Sequence, residues 1–76
     1  PNTSIEHTKM RAEEIRQGIK QLKVYTEGKE LASISVSIGI SSFPFHGTTY
    51  EQLFRVADEA LYRAKQNGRD CVFYLT

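Results

Sequence analysis

The sequence predicts an α/β fold with helices packed on a sheet, and three observations predict it. Two segments repeat apolar residues at helical spacing. Ile34, Val36, Ile38 and Ile40 alternate at period two, and Cys71 to Leu75 form an apolar run. The second helical segment lies between those strand-like runs with short links, an order that lays a helix on a sheet. Composition allows a core: hydrophobic residues are 39% and charged residues 25%, with five glycines and two prolines. Disordered, collagen-like and low-complexity classes are excluded. A chain of 76 residues nonetheless buries only about 60% of its unfolded surface. Two helices also need a sheet wider than two or three strands. The chain is expected to be marginal as a monomer, pairing through strand edges or with further elements. It reads as a piece of a longer polypeptide, opening on Pro1.

The first helix is entered through Pro1-Asn2-Thr3-Ser4, with Thr3 and Glu6 spaced as a capping box. Ile5, Thr8, Ala12, Ile15, Ile19 and Leu22 trace one stripe over about five turns. Glu6, Lys9, Arg11, Glu13, Glu14, Arg16 and Lys20 form the expected solvated faces. Gly18 weakens the last turns by roughly 1 kcal/mol relative to Ala. Val24-Tyr25-Thr26 reads as a short strand, and Glu27-Gly28-Lys29 as a tight turn.

The strand Ile34–Ile40 comes next, and its branched face is expected to be buried. Its other face carries Ser33, Ser35, Ser37 and Gly39. Either that face meets solvent, or something large packs close over it; a mid-strand glycine often marks such an approach. A loop from Ser41 to Thr49 holds Pro44, His46 and Gly47. Thr48 with Glu51, or Thr49 with Gln52, then caps the second helix. Its expected inner face is Tyr50, Leu53, Phe54, Ala57, Leu61 and Ala64. Asn67-Gly68 ends it, and Cys71–Leu75 closes the chain as a strand.

Charge and cysteine content narrow the function. The net charge is +1, so the bulk basicity of a nucleic-acid or polybasic membrane binder is absent. The single Cys71 forms no internal disulfide and belongs to no multi-cysteine zinc site; it reads as a core or half-buried thiol. His7 and His46 lack partners at metal spacing and read as ordinary surface residues. Asp58 and Glu59 are adjacent on a helix and point to different faces. No glycine-rich phosphate loop occurs. The suggestive cluster is Arg63, Lys65 and Arg69 around the end of the second helix. Cations there complement the helix dipole. Alternatively, Lys65 and Arg69 reach across the cap and hold an anion by side-chain charge alone. Spacing leaves both readings open.

Ser35-Val36-Ser37-Ile38-Gly39-Ile40, then Pro44-Phe45-His46-Gly47, then Ala57-Asp58-Glu59-Ala60-Leu61-Tyr62-Arg63-Ala64-Lys65-Gln66-Asn67-Gly68-Arg69-Asp70 closely resemble the C-terminal half of GGDEF domains, the bacterial diguanylate cyclases. Ala12-Glu13-Glu14-Ile15-Arg16 resembles the family's AExIR segment, so the resemblance spans practically the whole chain. It implies the helix–strand–helix–strand half of a palm-like, nucleotide cyclase-type domain with helices on a mixed sheet. Residues 1–76 would be the C-terminal portion of one GGDEF domain.

The resemblance further implies that two such domains face each other, each holding one GTP, and condense them into cyclic di-GMP with Mg²⁺. Lys65 and Arg69 match the positions that contact the GTP phosphates. Asp58 is expected to support local structure. The Gly-Gly-(Asp/Glu)-Glu-Phe hairpin, the metal-binding aspartate and the guanine-reading residues do not occur here, so the Mg²⁺ ligands are expected outside this chain. The segment alone is expected to be inactive. Glu14 stands where some members carry a second product-binding arginine. The parent is expected to be a cytoplasmic signalling protein, with neither nucleic acid nor direct membrane contact for this segment. A degenerate domain that binds GTP or a protein partner and regulates an attached module is the alternative.

Overall fold

In the computed structural model, residues 4–23, 25–30 and 34–76 are described. The elements are α1 (Ile5–Lys20), β1 (Tyr25–Thr26), β2 (Lys29–Glu30), β3 (Ile38–Ile40), α2 (Tyr50–Gln66) and β4 (Val72–Tyr74). β1 and β2 form a small antiparallel hairpin, with positive φ at Glu27 and Gly28 (52° and 78°) as a primed turn requires. β3 and β4 pair in parallel, Ile38 opposite Val72, Gly39 opposite Phe73 and Ile40 opposite Tyr74. α2 is the crossover between them, giving the strand–helix–strand unit that the sequence predicts. No helix among the described residues is long and apolar enough to cross a membrane.

Gly39 faces α2. A β-carbon there would lie 2.5 Å from the Ala57 carbonyl oxygen and 2.8 Å from Leu61 Cα, and would also strike the Leu61 amide nitrogen. The small face of the strand is therefore the seam on which the helix rests. Ser41 Oγ donates to the Leu53 carbonyl at 2.7 Å and Ser37 Oγ accepts from the Asp70 amide at 3.1 Å. Ala60 and Ala64 are fully buried in the same seam, where a larger side chain would hold the helix off the sheet. Ile38, Ile40, Val72 and Tyr74 alternate onto the other face, toward α1, and Ile40 is buried.

Several expected core positions are corrected. Hydrogen-bonded pairing begins only at Ile38, and Ile34 is exposed. The reason lies in the partner strand, where Arg69 and Asp70 turn into left-handed backbone and end the ladder. On α2, Tyr50 and Phe54 are exposed and stack on each other at 6.1 Å, while Val56 is half-buried. On α1, Ile15 is exposed, and Leu22 lies beyond the helix end and is exposed too. The inward side of that helix is rotated toward Lys9, Ala12, Glu13 and Arg16. Lys9 Nζ sits over the Tyr74 ring at 4.9 Å and Arg16 reaches Asp70, so polar contacts set the rotation.

Ser4 caps α1, accepting from the His7 amide at 3.3 Å. The Thr3 cap, Val24 and Ser33 lie outside the described residues. Thr49, rather than Thr48, caps α2 in a reciprocal box with Gln52. α1 continues through Gly18 to Lys20.

Candidate functional site

α2 runs antiparallel to β3 and β4, so its C-terminal end lies beside Ser37 and Cys71, at the start of both strands. Arg63, Lys65 and Arg69 are exposed there. The stop is a Schellman-type cap. The Arg69 amide donates to the Ala64 carbonyl at 3.0 Å and the Asn67 amide to the Arg63 carbonyl at 2.9 Å, with Gly68 at φ 101°. This fold-back sets the Arg69 backbone beside the turn that carries Lys65.

The three cations differ in what holds them. Arg63 Nε donates to Glu59 Oε2 at 3.1 Å, an exposed pair one turn apart. Among the described residues neither Lys65 nor Arg69 has a carboxylate partner. Two uncompensated positive charges therefore remain at a helix terminus whose dipole already attracts them. Anion binding there depends on these side chains, Lys as a mobile point charge and Arg as a rigid donor fork.

The backbone after Gly68 is unusual. Arg69 and Asp70 have φ of 63° and 51°; for residues with a β-carbon this costs on the order of 1–3 kcal/mol each. Side chains of α1 hold the bend. Arg16 Nη1 donates to Asp70 Oδ1 at 2.6 Å, and Lys20 Nζ donates to Asp70 Oδ2. Arg16 is itself gripped by Glu13, with Nε to Oε1 at 2.9 Å and Nη2 to Oε2 at 2.5 Å, and Gln17 donates to Glu13 at 2.8 Å. The Arg16 side chain is 15% exposed, far from the solvated residue the sequence suggests.

Hydrogen bonds to Arg16 and Gln17 hold the Glu13 carboxyl down to about 2, and those to Lys20 and Arg16 lower that of Asp70. The same contacts raise the Arg16 guanidinium above its ordinary value, Glu13 contributing most. The signal for this network was present in part. Residues 13, 16, 17 and 20 share one helical stripe of an acid, an amide and two cations, but nothing local points to Asp70.

His46 sits at the opposite end of the strands and is half-buried, which corrects its reading as a surface residue. Its Nδ1 accepts from the Ser42 amide at 2.9 Å, so Nε2 carries the hydrogen and donates to the Leu75 carbonyl at 2.7 Å. The ring packs edge-on against Tyr74 and Phe45, and Ser42 Oγ lies 2.8 Å from the Tyr74 hydroxyl. His46 ties the loop to the chain end and has no free nitrogen for chemistry. Cys71 is half-buried with Sγ 3.5 Å from the Ala64 carbonyl, and His7 is exposed. Among the described residues no three His, Cys, Asp or Glu side chains converge to hold a metal ion. A surface groove lies between α1 and β4, lined by Lys9, Glu13, Val72, Phe73 and Tyr74; Lys65 and Arg69 are not part of it.

The family model described as "Diguanylate cyclase, GGDEF domain" matches residues 1–71. The chain belongs to the GGDEF family. It is 37% identical over 71 residues to diguanylate cyclase A of Treponema denticola, covering 93% of this chain and 19% of that protein. It is 43% identical over 61 residues to diguanylate cyclase DosC of Escherichia coli, covering 80% and 13%. The response regulator PleD of Caulobacter vibrioides is 34% identical over 73 residues, covering 95% and 16%. The solved GGDEF domain of DgcB from Caulobacter crescentus, in complex with c-di-GMP, superposes with a TM-score of 0.84 at 26% identity. That match covers 97% of this chain and 43% of the other. This GGDEF segment thus spans less than a fifth of these curated relatives and under half of the solved domain. The palm-like α/β expectation agrees with that superposition.

Proposed function

We propose that this segment is the C-terminal part of a domain that condenses two GTP molecules into cyclic di-GMP, with Lys65 and Arg69 holding triphosphate oxygens. The observation that carries the reading is the contrast along α2: Arg63 is paired with Glu59, while Lys65 and Arg69 have no carboxylate partner among the described residues. The family match supplies the reaction class. In that reaction the 3′-hydroxyl of one GTP attacks the α-phosphorus of the other, and pyrophosphate leaves. Two attacks close the ring, so two domains, each bearing one nucleotide, must face each other. Cations on the leaving polyphosphate hold it in line and balance the charge that grows as the bond breaks.

Mg²⁺, when bound by residues outside this chain, would supply charge neutralisation and activation of the hydroxyl. Among the described residues no three His, Cys, Asp or Glu side chains converge to hold it. In this reading the segment alone is inactive; cyclic di-GMP made by the isolated chain from GTP and Mg²⁺ would contradict that. The parent is read as a cytoplasmic signalling protein, acting as a homodimer through this domain.

The test titrates 3′-deoxy-GTP, which binds but cannot condense, against the intact parent domain. A charge-assisted hydrogen bond to phosphate contributes about 1.5–3 kcal/mol. Lys65→Ala and Arg69→Ala should each weaken binding about ten- to a hundredfold. Arg63→Ala should leave affinity unchanged and cost under about 1 kcal/mol of stability, as exposed ion pairs do. Equal and negligible affinity changes in all three variants would leave the cations as dipole partners only.

A further inference from the structure

The tight grip on Asp70 is out of proportion to what docking a helix requires. Its side chain, carbonyl and amide are all held, by two different parts of the chain. Oδ1 accepts from Arg16 and Oδ2 from Lys20, its carbonyl oxygen lies 3.4 Å from Arg16 Nη1, and its amide donates to Ser37 Oγ at 3.1 Å. Arg16 and Lys20 lie 54 and 50 residues away in sequence. An ion pair fastening α1 to the loop could form on relaxed backbone. Here it holds Arg69 and Asp70 in left-handed conformations one after the other, and strain maintained by its surroundings is a sign of positioning. The residue so positioned, Arg69, is exposed and has no carboxylate partner among the described residues.

We propose that Asp70, clamped by Arg16 and Lys20 of α1 and by Ser37, is a positioning residue that fixes the left-handed turn 68–70 and so aims the Arg69 guanidinium at a phosphate-bearing ligand. The proposal rests on the phosphate-contact reading of Arg69. Asp70 touches no ligand itself. A free arginine side chain samples many rotamers, and ordering it on binding costs affinity. A fixed backbone direction removes part of that cost before the ligand arrives. The Glu13–Arg16 contacts extend the clamp by holding the guanidinium that holds Asp70.

A double-mutant cycle in the intact parent domain tests this, with 3′-deoxy-GTP affinity and thermal stability both read. Asp70→Ala should weaken binding about three- to tenfold when Arg69 is present, and by less than about 1.5-fold in the Arg69→Ala background. Its effect on the melting temperature should be the same in both backgrounds. Asp70→Asn tolerates left-handed backbone and keeps one acceptor, so its affinity should stay within about twofold of the parent. Should Asp70→Ala not fold, Arg16→Gln takes its place in the cycle with the same expectation. Equal affinity losses in both backgrounds would make the clamp merely structural and overturn the proposal. So would an unchanged affinity for Asp70→Ala beside a large loss for Arg69→Ala. An unchanged affinity for Arg69→Ala overturns the phosphate reading first, and the clamp's purpose with it.

Discussion

Replacing Gly39 by Ala tests the central packing claim, that α2 lies on a backbone with no side chain beneath it. The added methyl carbon would stand 2.5 Å from the Ala57 carbonyl oxygen, where ordinary contact begins at 3.4 Å. Relief requires α2 to retreat by at least the difference, about 0.9 Å, because the Leu61 amide nitrogen lies closer still. The obstructing atoms are backbone, so no rotamer change absorbs the clash. The retreat would also stretch the 2.7 Å bond from Ser41 Oγ to the Leu53 carbonyl. Overpacking of this kind costs about 1–3 kcal/mol. Gly18 provides the opposite case: it is exposed on α1, and an added β-carbon meets nothing within 4 Å. Gly18→Ala should stabilise by about 0.5–1 kcal/mol through backbone entropy alone. Equilibrium urea unfolding of the intact domain reads both changes, provided the denaturant slope stays constant. A Gly39→Ala domain as stable as the parent, or the same direction of shift at both glycines, would refute the seam.

Two further outcomes follow from the remaining contacts. The carboxyls of Glu13 and Asp70 titrate lower in the folded chain than in the unfolded one, so their contribution is complete above about pH 4.5 and is lost as pH falls toward 2. The part of the stability that this ion network supplies should therefore be constant from about pH 7 to 5 and drop below that. The drop should be shallower in the Glu13→Gln, Asp70→Asn double variant; identical acid profiles would remove the ion network from the account. His46→Ala deletes an acceptor for the Ser42 amide and a donor to the Leu75 carbonyl, and should cost about 1–3 kcal/mol in urea unfolding. His7→Ala, at an exposed position, should stay within about 0.5 kcal/mol; equal effects at the two histidines would contradict the clip.

Local patterns alone determined much of this segment. Period two located the strand but not where its pairing begins, two overlapping cap spacings located the start of α2 to within a residue, and Asn67-Gly68 placed its end, because each depends on neighbours within four residues. The small face of β3 carried a long-range message as well: glycine between serines is what a closely packed helix needs, whichever helix it is. The motif string up to Asp70 was specific enough to name the family. Tertiary structure alone decided which apolar residues are inside. Tyr50, Phe54, Ile15 and Leu22 satisfy a helical stripe, yet α2 is set on the sheet by Gly39, Ala60 and Ala64, and α1 is rotated by Arg16 and Lys9 toward β4. It also decided that His46 is a clip and that Asp70 is a clamp. Each depends on a partner at least 29 residues away, Leu75 for His46 and Arg16 for Asp70, and hydrogen-bond geometry over such a separation exists only after the chain has closed. A sequence records the charges of Arg16, Lys20 and Asp70; only the fold brings them together on one left-handed turn.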